Sequence, residues 1–161
     1  LASSAASDVY KRQEVRFMNA YFVKCNSCVK DENGNITEIH CTYDPASKGG
    51  NSPDGRKVKG TIHWVSAEYG KQVTVRLYEN IVNEELGVYN EDGSLNLNPN
   101  SLTVLDNCVV EPELMNAKAY DSFQFVRNGF FCADCKDSKD GQPVFNRIVS
   151  LKSSFKLPTA K

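Results

Sequence analysis

The chain has 161 residues, of which 40% are hydrophobic and 24% charged, and its formal net charge is -1. This composition excludes an intrinsically disordered chain and is typical of one folded domain or two small ones. No apolar run approaches the roughly 18 residues that a membrane span needs, so we expect no membrane partner. Because the overall charge is balanced, nucleic-acid binding by this chain requires a local basic patch.

Residues 1–13 form an N-terminal segment that is rich in Ser and Ala and has no clear period. The segment lacks the charged start and the apolar centre of a secretory signal, and it resembles translated adaptor sequence more than protein. We therefore interpret 1–13 as a non-native leader. The expected protein region is 14–155, followed by a polar C-terminal tail over 156–161.

Short strands separated by turn residues are predicted along the rest of the chain. Alternating apolar residues over 14–30 predict one strand, and Asn33-Gly34 predicts a hairpin into a second strand over 36–43. The stretch 54–66 predicts a third strand that buries His63 and Trp64. Further strands are predicted over 72–78, 101–110, 120–127, 130–132 and 143–151, with a long excursion over 81–100 and a short helical segment over 113–119. Because almost no helical period is present, the sequence predicts an all-β fold.

Six cysteines include two Cys-x-x-Cys pairs. The chain is longer than the small scaffolds that depend on disulfides, and no signal peptide is visible, so we expect reduced thiols in a cytoplasmic protein. Two such pairs can form a tetrahedral zinc site if the fold brings them together, but the sequence between them is far longer than in a zinc ribbon. We therefore expect no metal, and the alternative zinc set is Cys25, Cys28, Cys132 and Cys135.

Six sequence blocks follow one another in the order that a known family shows. They are Asn19-Ala-Tyr21, Cys41-Thr-Tyr-Asp44, the stretch from Asp54 to Ser66, Val75-Arg-Leu-Tyr78, Phe123-Gln-Phe125 and Pro143-Val-Phe-Asn-Arg147. Through these blocks, 14–155 resembles the C-terminal anticodon-binding region of the glutaminyl-tRNA synthetases, which are class I aminoacyl-tRNA synthetases. The resemblance implies a β-barrel anticodon-binding domain with two barrels, one inserted in the other. The first strands of the barrel nearer the catalytic domain are expected to be missing here.

Candidate base-reading residues follow from the same resemblance. Arg and Gln side chains suit the readout of splayed RNA bases, since Arg presents forked donors and Gln offers both a donor and an acceptor. The resemblance implies that Gln124 and Arg127 contact the central uridine of the anticodon. Strict strand alternation places these two side chains on opposite faces, so a turn or bulge must reorient Arg127. Arg16 is implied to contact the first anticodon base, but Met18 stands where the family has a second arginine and cannot donate a hydrogen bond.

Candidate backbone-binding residues form a second group. Arg56, Lys57 and Lys59 follow the turn Pro53-Asp54-Gly55, and we expect them to contact RNA phosphates, with a solvated strand edge as the alternative. Lys152 and Ser154 fall near a family segment that lies beside the anticodon, and they are further candidates.

The implied function is tRNA anticodon recognition as the C-terminal part of a glutamine-tRNA ligase, which joins glutamine to its tRNA with ATP during translation. The expected partners are the anticodon loop of glutamine tRNA and a catalytic domain of the same polypeptide, with no DNA. ATP and Mg serve the full-length enzyme, and no cofactor is expected in this chain. The 161 residues contain neither adenylate-binding motif of class I synthetases and no nucleophile motif, so we expect no catalytic residue and an inactive chain on its own.

Three alternatives remain open. A glutamyl-tRNA synthetase of related build shares the barrel region. A free-standing β-barrel RNA-binding module without ligase activity is expected to bind RNA with strong salt dependence and little sensitivity to the anticodon. A zinc-stabilised β domain that binds protein is expected to retain zinc through purification.

Overall fold

The computed structural model describes residues 14–83 and 86–151, which form nine β-strands and two short 3-10 helices. The predicted all-β class is confirmed, and closure of the sheets into barrels stays a prediction. The chain divides into two compact units, Leu1–Trp64 (the first unit) and Val65–Lys161 (the second unit). Over the described ranges, the structure has no helix of the length and hydropathy needed to cross a bilayer.

The first unit contains a four-stranded sheet in the order β3-β2-β1-β4. Its strands are β1 (Glu14–Phe17), β2 (Phe22–Lys30), β3 (Ile36–Asp44) and β4 (Thr61–Ile62). The short β4 runs parallel to β1, whereas β1, β2 and β3 are antiparallel neighbours. Val15 and Val23, which pair in register across β1 and β2, are buried at the centre of this sheet.

The single strand predicted over 14–30 is wrong, because a tight turn divides it into β1 and β2. The Phe17 N–H donates to the Tyr21 carbonyl at 2.8 Å, and Asn19 between them has φ of +57°. Asparagine enters this left-handed region more readily than most residues. The alternation continues with the same phase on both sides of the turn, so periodicity by itself does not reveal the break.

The predicted hairpin at Asn33-Gly34 is confirmed between β2 and β3. The Asp31 carboxylate accepts hydrogen bonds from the backbone N–H groups of Asn33 and Asn35, at 2.9 and 2.8 Å. After β3, a 3-10 helix over Pro45–Ser47 begins the loop. Buried Ser47 accepts a hydrogen bond from the Phe22 N–H at 2.7 Å, which fastens the loop to β2.

The prediction that His63 and Trp64 lie in the core is wrong, because both side chains are exposed. Pairing with β1 ends at Ile62, and the chain then leaves the sheet. The Trp64 ring stacks on Phe17 with 5.9 Å between centroids, and its indole N–H donates to the Met18 carbonyl at 3.0 Å. Trp64 therefore covers the edge of the first unit's core.

The second unit contains a five-stranded sheet in the order β6-β5-β9-β8-β7. Its strands are β5 (Lys71–Tyr78), β6 (Leu102–Val110), β7 (Ser122–Phe125), β8 (Gly129–Ala133) and β9 (Val144–Val149). Only the β5–β9 pair is parallel among these ladders. The core is formed by buried Val73, Val75, Val110, Phe131, Ala133 and Phe145.

Two segments that connect strands of the second unit differ in conformation: 112–116 is helical, whereas the described part of 81–100 is a folded loop. The helical segment predicted over 113–119 is a 3-10 helix over Pro112–Asn116. The excursion predicted over 81–100 folds back on itself, since the Asn98 N–H donates to the Ile81 carbonyl at 2.8 Å and the Asn83 N–H donates to the Asn96 carbonyl at 2.9 Å.

Candidate nucleic-acid interface

The hairpin formed by β7 and β8 presents Gln124 to solvent. Phe123 and Phe125 pack against the core of the second unit, and strand alternation directs Gln124 between them to the outer face. The ring of Phe125 stacks on Phe131 with 4.4 Å between centroids. The amide of Gln124 is thus carried by a strand whose inner face is firmly packed.

Arg127 lies in the turn of the same hairpin. Since β7 ends at Phe125, strand alternation no longer dictates the direction of the Arg127 side chain. The Asn128 N–H donates to the Phe125 carbonyl at 2.8 Å, which closes a four-residue turn whose third residue, Arg127, has φ of +66°. Gly or Asn normally occupies a third turn position of this kind. The structure therefore places a turn at Arg127, and the reorientation of its side chain stays a prediction.

Gly129 shapes the start of β8. Its φ is +144°, and a Cβ at this position would lie 2.5 Å from the Val149 carbonyl oxygen on β9. Such a contact is too short for any side chain, so only glycine allows this close approach. The hairpin end that carries Arg127 therefore lies close against the end of β9.

Arg16 on β1 is packed in the first unit. Its guanidinium carbon lies 5.2 Å from the centroid of the Phe22 ring, and that of Arg56 lies 5.1 Å from the same centroid. The Nε of Arg16 is buried and has no hydrogen-bond partner among the described residues. Gly50 borders the side chain closely, since a Cβ on Gly50 would lie 3.2 Å from the Arg16 Cδ. Gly50 and Phe22 therefore border the Arg16 side chain. Met18 lies in the turn between β1 and β2.

Arg56 is engaged by three carboxylates. Its Nη2 donates to Glu14 at 3.1 Å and to Asp44 at 2.5 Å, and its Nη1 donates to Asp54 at 2.7 Å. Nη1 also donates to the Ser52 hydroxyl at 2.8 Å. The guanidinium ties β1, the end of β3 and the following loop together, which gives Arg56 a structural role that the sequence did not indicate. Its contact with RNA phosphate stays a prediction.

These contacts shift the acidity of the participating groups. The carboxylates of Glu14, Asp44 and Asp54 raise the pKa of Arg56. The Arg56 guanidinium, followed by the Ala46 N–H, lowers the pKa of Asp44. Hydrogen bonds from the Ser52 hydroxyl and from the backbone and side chain of Arg56 lower the pKa of Asp54 to about 2. Asp44, Asp54 and Arg56 are therefore charged at neutral pH, and the two carboxylates outweigh the single guanidinium.

The other predicted backbone contacts divide into two groups. Lys57 and Lys59 are exposed in the segment that leads into β4. Lys152 and Ser154 lie outside the described residues, as do the predicted leader 1–13 and the predicted tail 156–161. All of these stay predictions.

The structure does not bring the four cysteines of the alternative zinc set together among the described residues. Within the described residues, no three His, Cys, Asp or Glu side chains lie close enough to hold a metal ion. Cys25 and Cys28 belong to the first unit and Cys132 and Cys135 to the second. Cys25 instead pairs in register with Cys41 across β2 and β3, and burial, followed by the neighbouring Cys25 thiol, raises the pKa of Cys41.

Comparison with known proteins gives two matches to family models with the same description. Residues 3–44 and residues 61–134 each match a model of "tRNA synthetases class I (E and Q), anti-codon binding domain". The first match begins within 1–13, and the interpretation of that segment as a leader stays a prediction.

Curated relatives at about half identity cover most of the chain. The chain is 50% identical to the glutamine--tRNA ligase of Clostridium kluyveri over 155 residues. This match covers 95% of the chain and 28% of the relative. The glutamine--tRNA ligase of Pseudomonas syringae pv. tomato is 48% identical over 153 residues, 91% of this chain and 27% of the relative. That of Clostridioides difficile is 51% identical over 144 residues, 89% of this chain and 26% of the relative. The chain thus spans just over a quarter of the length of these relatives.

Proposed function

Since the chain belongs to the anticodon-binding domains of the class I tRNA synthetases (E and Q), we propose that it recognises the anticodon of glutamine tRNA as part of a glutamine-tRNA ligase. The names of the matched relatives support glutamine over glutamate as the amino acid. In this proposal the chain supplies selectivity for the tRNA. ATP, Mg and the joining reaction belong to a catalytic domain of the same polypeptide in the cytoplasm.

The presentation of Gln124 and Arg127 at one end of a packed hairpin carries this proposal. A residue other than glycine in the left-handed region costs about 1–2 kcal/mol, and such strain is concentrated at functional sites. The pairing edge of uridine has one N–H donor between two carbonyl acceptors. A glutamine amide can accept from that N–H and donate to one carbonyl, while an arginine donates to the other. The two side chains together match the edge of the central uridine.

The first unit supplies the proposed contacts to the remaining bases and to phosphate. Arg16 is assigned to the first anticodon base, and its packing between Phe22 and Gly50 supports a preformed contact. Lys57 and Lys59 are assigned to phosphates because both are exposed cations. The contacts of Arg56 with three carboxylates support a role in holding the loop that carries these lysines.

The test uses an intact ligase that contains this chain. In Gln124→Ala and Arg127→Ala, discrimination between tRNA with the central uridine and tRNA with another central base should weaken by roughly 1–3 kcal/mol, by analogy with base contacts in DNA complexes. The measurement is kcat/KM for each tRNA. Gln72→Ala, which changes an exposed glutamine on β5, is the matched control and should retain full discrimination. Unchanged discrimination in both hairpin variants would overturn the proposal.

A further inference from the structure

Among the phenylalanines of the described residues, Phe130 is the one whose side chain is exposed to solvent. Its side chain is 43% exposed, whereas Phe131 and Phe145 of the same unit are buried at 3% and 0%. Strand alternation along β8 explains this, since Phe131 and Ala133 enter the core and Phe130 faces the other side.

Phe130 also lies directly opposite Gln124. The register of the β7–β8 ladder pairs Gln124 with Phe130, and the β8–β9 ladder pairs Phe130 with Val149, which is 49% exposed. Directly opposed residues in an antiparallel pair have Cβ atoms about 4.5–5.5 Å apart. An exposed aromatic ring therefore stands beside the amide that is proposed to read a base.

We propose that Phe130 is a stacking platform for the nucleobase whose edge is read by Gln124. This inference rests on the proposed function. Recognition of single-stranded RNA combines hydrogen bonds to base edges with stacking of the splayed base on an aromatic side chain. The hairpin carries the hydrogen-bonding side chains in Gln124 and Arg127, and Phe130 adds the apolar surface that replaces the neighbouring bases of the RNA stack.

The occupant is a nucleobase because of what surrounds the ring. An apolar protein surface would have to cover the Gln124 amide and leave it without a partner, which is unfavourable. A flat heteroaromatic base can cover the ring with its face and satisfy the amide with its edge. Val149 extends the apolar surface beyond the ring on the next strand, so the platform is wider than one side chain.

The test measures binding of an intact ligase that contains this chain to a glutamine anticodon stem-loop RNA by fluorescence anisotropy. Two RNAs are compared, one with the central uridine and one with an abasic nucleotide at that position. Phe130→Ala should weaken binding of the uridine RNA about 5- to 150-fold, in line with base–aromatic stacking. Phe130→Tyr keeps the ring and should bind like the wild type. Tyr69→Ala removes an exposed aromatic ring outside the hairpin and should also bind like the wild type.

The abasic RNA separates stacking from a structural role. With no base to stack, Phe130→Ala should bind this RNA as the wild type does. An equal loss on both RNAs, or no loss on the uridine RNA while Gln124→Ala is impaired, overturns the platform and leaves the proposed function standing. If the wild-type ligase binds the stem-loop no better than it binds an RNA with a scrambled loop, the proposed function fails and the platform fails with it.

Discussion

Replacement of Arg127 by glycine rather than by alanine is expected to stabilise the second unit, while either change removes the proposed base contact. Arg127 has φ of +66° in the turn between β7 and β8, where an L side chain costs about 1–2 kcal/mol. Glycine removes that cost, but it also makes the unfolded chain more flexible, which offsets about 0.5–1 kcal/mol. Relative to alanine at the same position, the net effect is a gain of about 0.5–1 kcal/mol in the free energy of unfolding.

Arg127→Ala is the reference for this change. Both variants lose the guanidinium and every contact it makes, but alanine keeps the Cβ that is unfavourable at positive φ. The comparison of glycine with alanine therefore isolates the backbone contribution. Both variants should lose discrimination of the central anticodon base to the same extent.

Hydrogen exchange followed by mass spectrometry is a suitable assay, because it resolves the two units. The single tryptophan, Trp64, belongs to the first unit, whereas amide exchange is read at β8 and β9 themselves. Slowly exchanging amides of β8 and β9 should exchange about 2- to 5-fold more slowly in Arg127→Gly than in Arg127→Ala, the factor that corresponds to 0.5–1 kcal/mol.

A glycine variant that exchanges no more slowly than the alanine variant would refute the reasoning. In that case the positive φ at this position stores no strain, and the backbone no longer supports a functional role for the turn. A glycine variant that is more stable and still discriminates the central base would instead show that the strain serves something other than base recognition.

Arg56→Gln should lower the urea concentration at which half of the first unit is unfolded, because three carboxylates lose their shared donor. Tryptophan fluorescence measures this midpoint, and an unchanged value would contradict the prediction. Asp54 has a folded pKa of about 2 against an ordinary value of 3.8, so its contribution to stability is complete above about pH 4 and is lost as the pH falls through about 2. Asp54→Asn should abolish that acid-dependent part, and an acid profile identical to the wild type would count against it. With oxidised glutathione as the oxidant, the thiols of Cys25 and Cys41 should pass two hydrogen atoms to the glutathione disulfide and form a bridge, because they are paired in register. Peptide mass spectrometry should find this bridge in wild type and in Cys28→Ser but not in Cys25→Ser, and a bridge through Cys28 would contradict the register.

Features that depend on residues close together in the sequence are predictable from the sequence. The hairpin at Asn33-Gly34 follows from turn chemistry, and the strands around 72–78 and 101–110 follow from β-type residue runs. The β1–β2 turn was missed because Asn19 is a weaker signal than Asn-Gly and the apolar alternation continues through it. Trp64 was misplaced because pattern alone does not show that β4 ends after two residues.

The proposed base-reading hairpin lies between these two cases. The sequence around Gln124 and its family resemblance pointed to that residue, but only the structure shows that β7 ends at Phe125 and that Arg127 has a positive φ. The exposure of Phe130 was equally unpredictable from sequence. In a run of hydrophobic residues, the pattern does not show which phenylalanine faces the core and which faces solvent.

By itself, the sequence determined the all-β class and the family, because strand periodicity, turn residues and ordered motifs are local properties. Only the tertiary structure decided which distant groups meet. The Arg56 guanidinium reaches Glu14, 42 residues away in the sequence. In the second unit, β9 pairs in parallel with β5 and places Val144 opposite Thr74, although these residues are far apart in the chain. Such contacts depend on how the strands assemble around each core, and no local pattern in the chain encodes the partner.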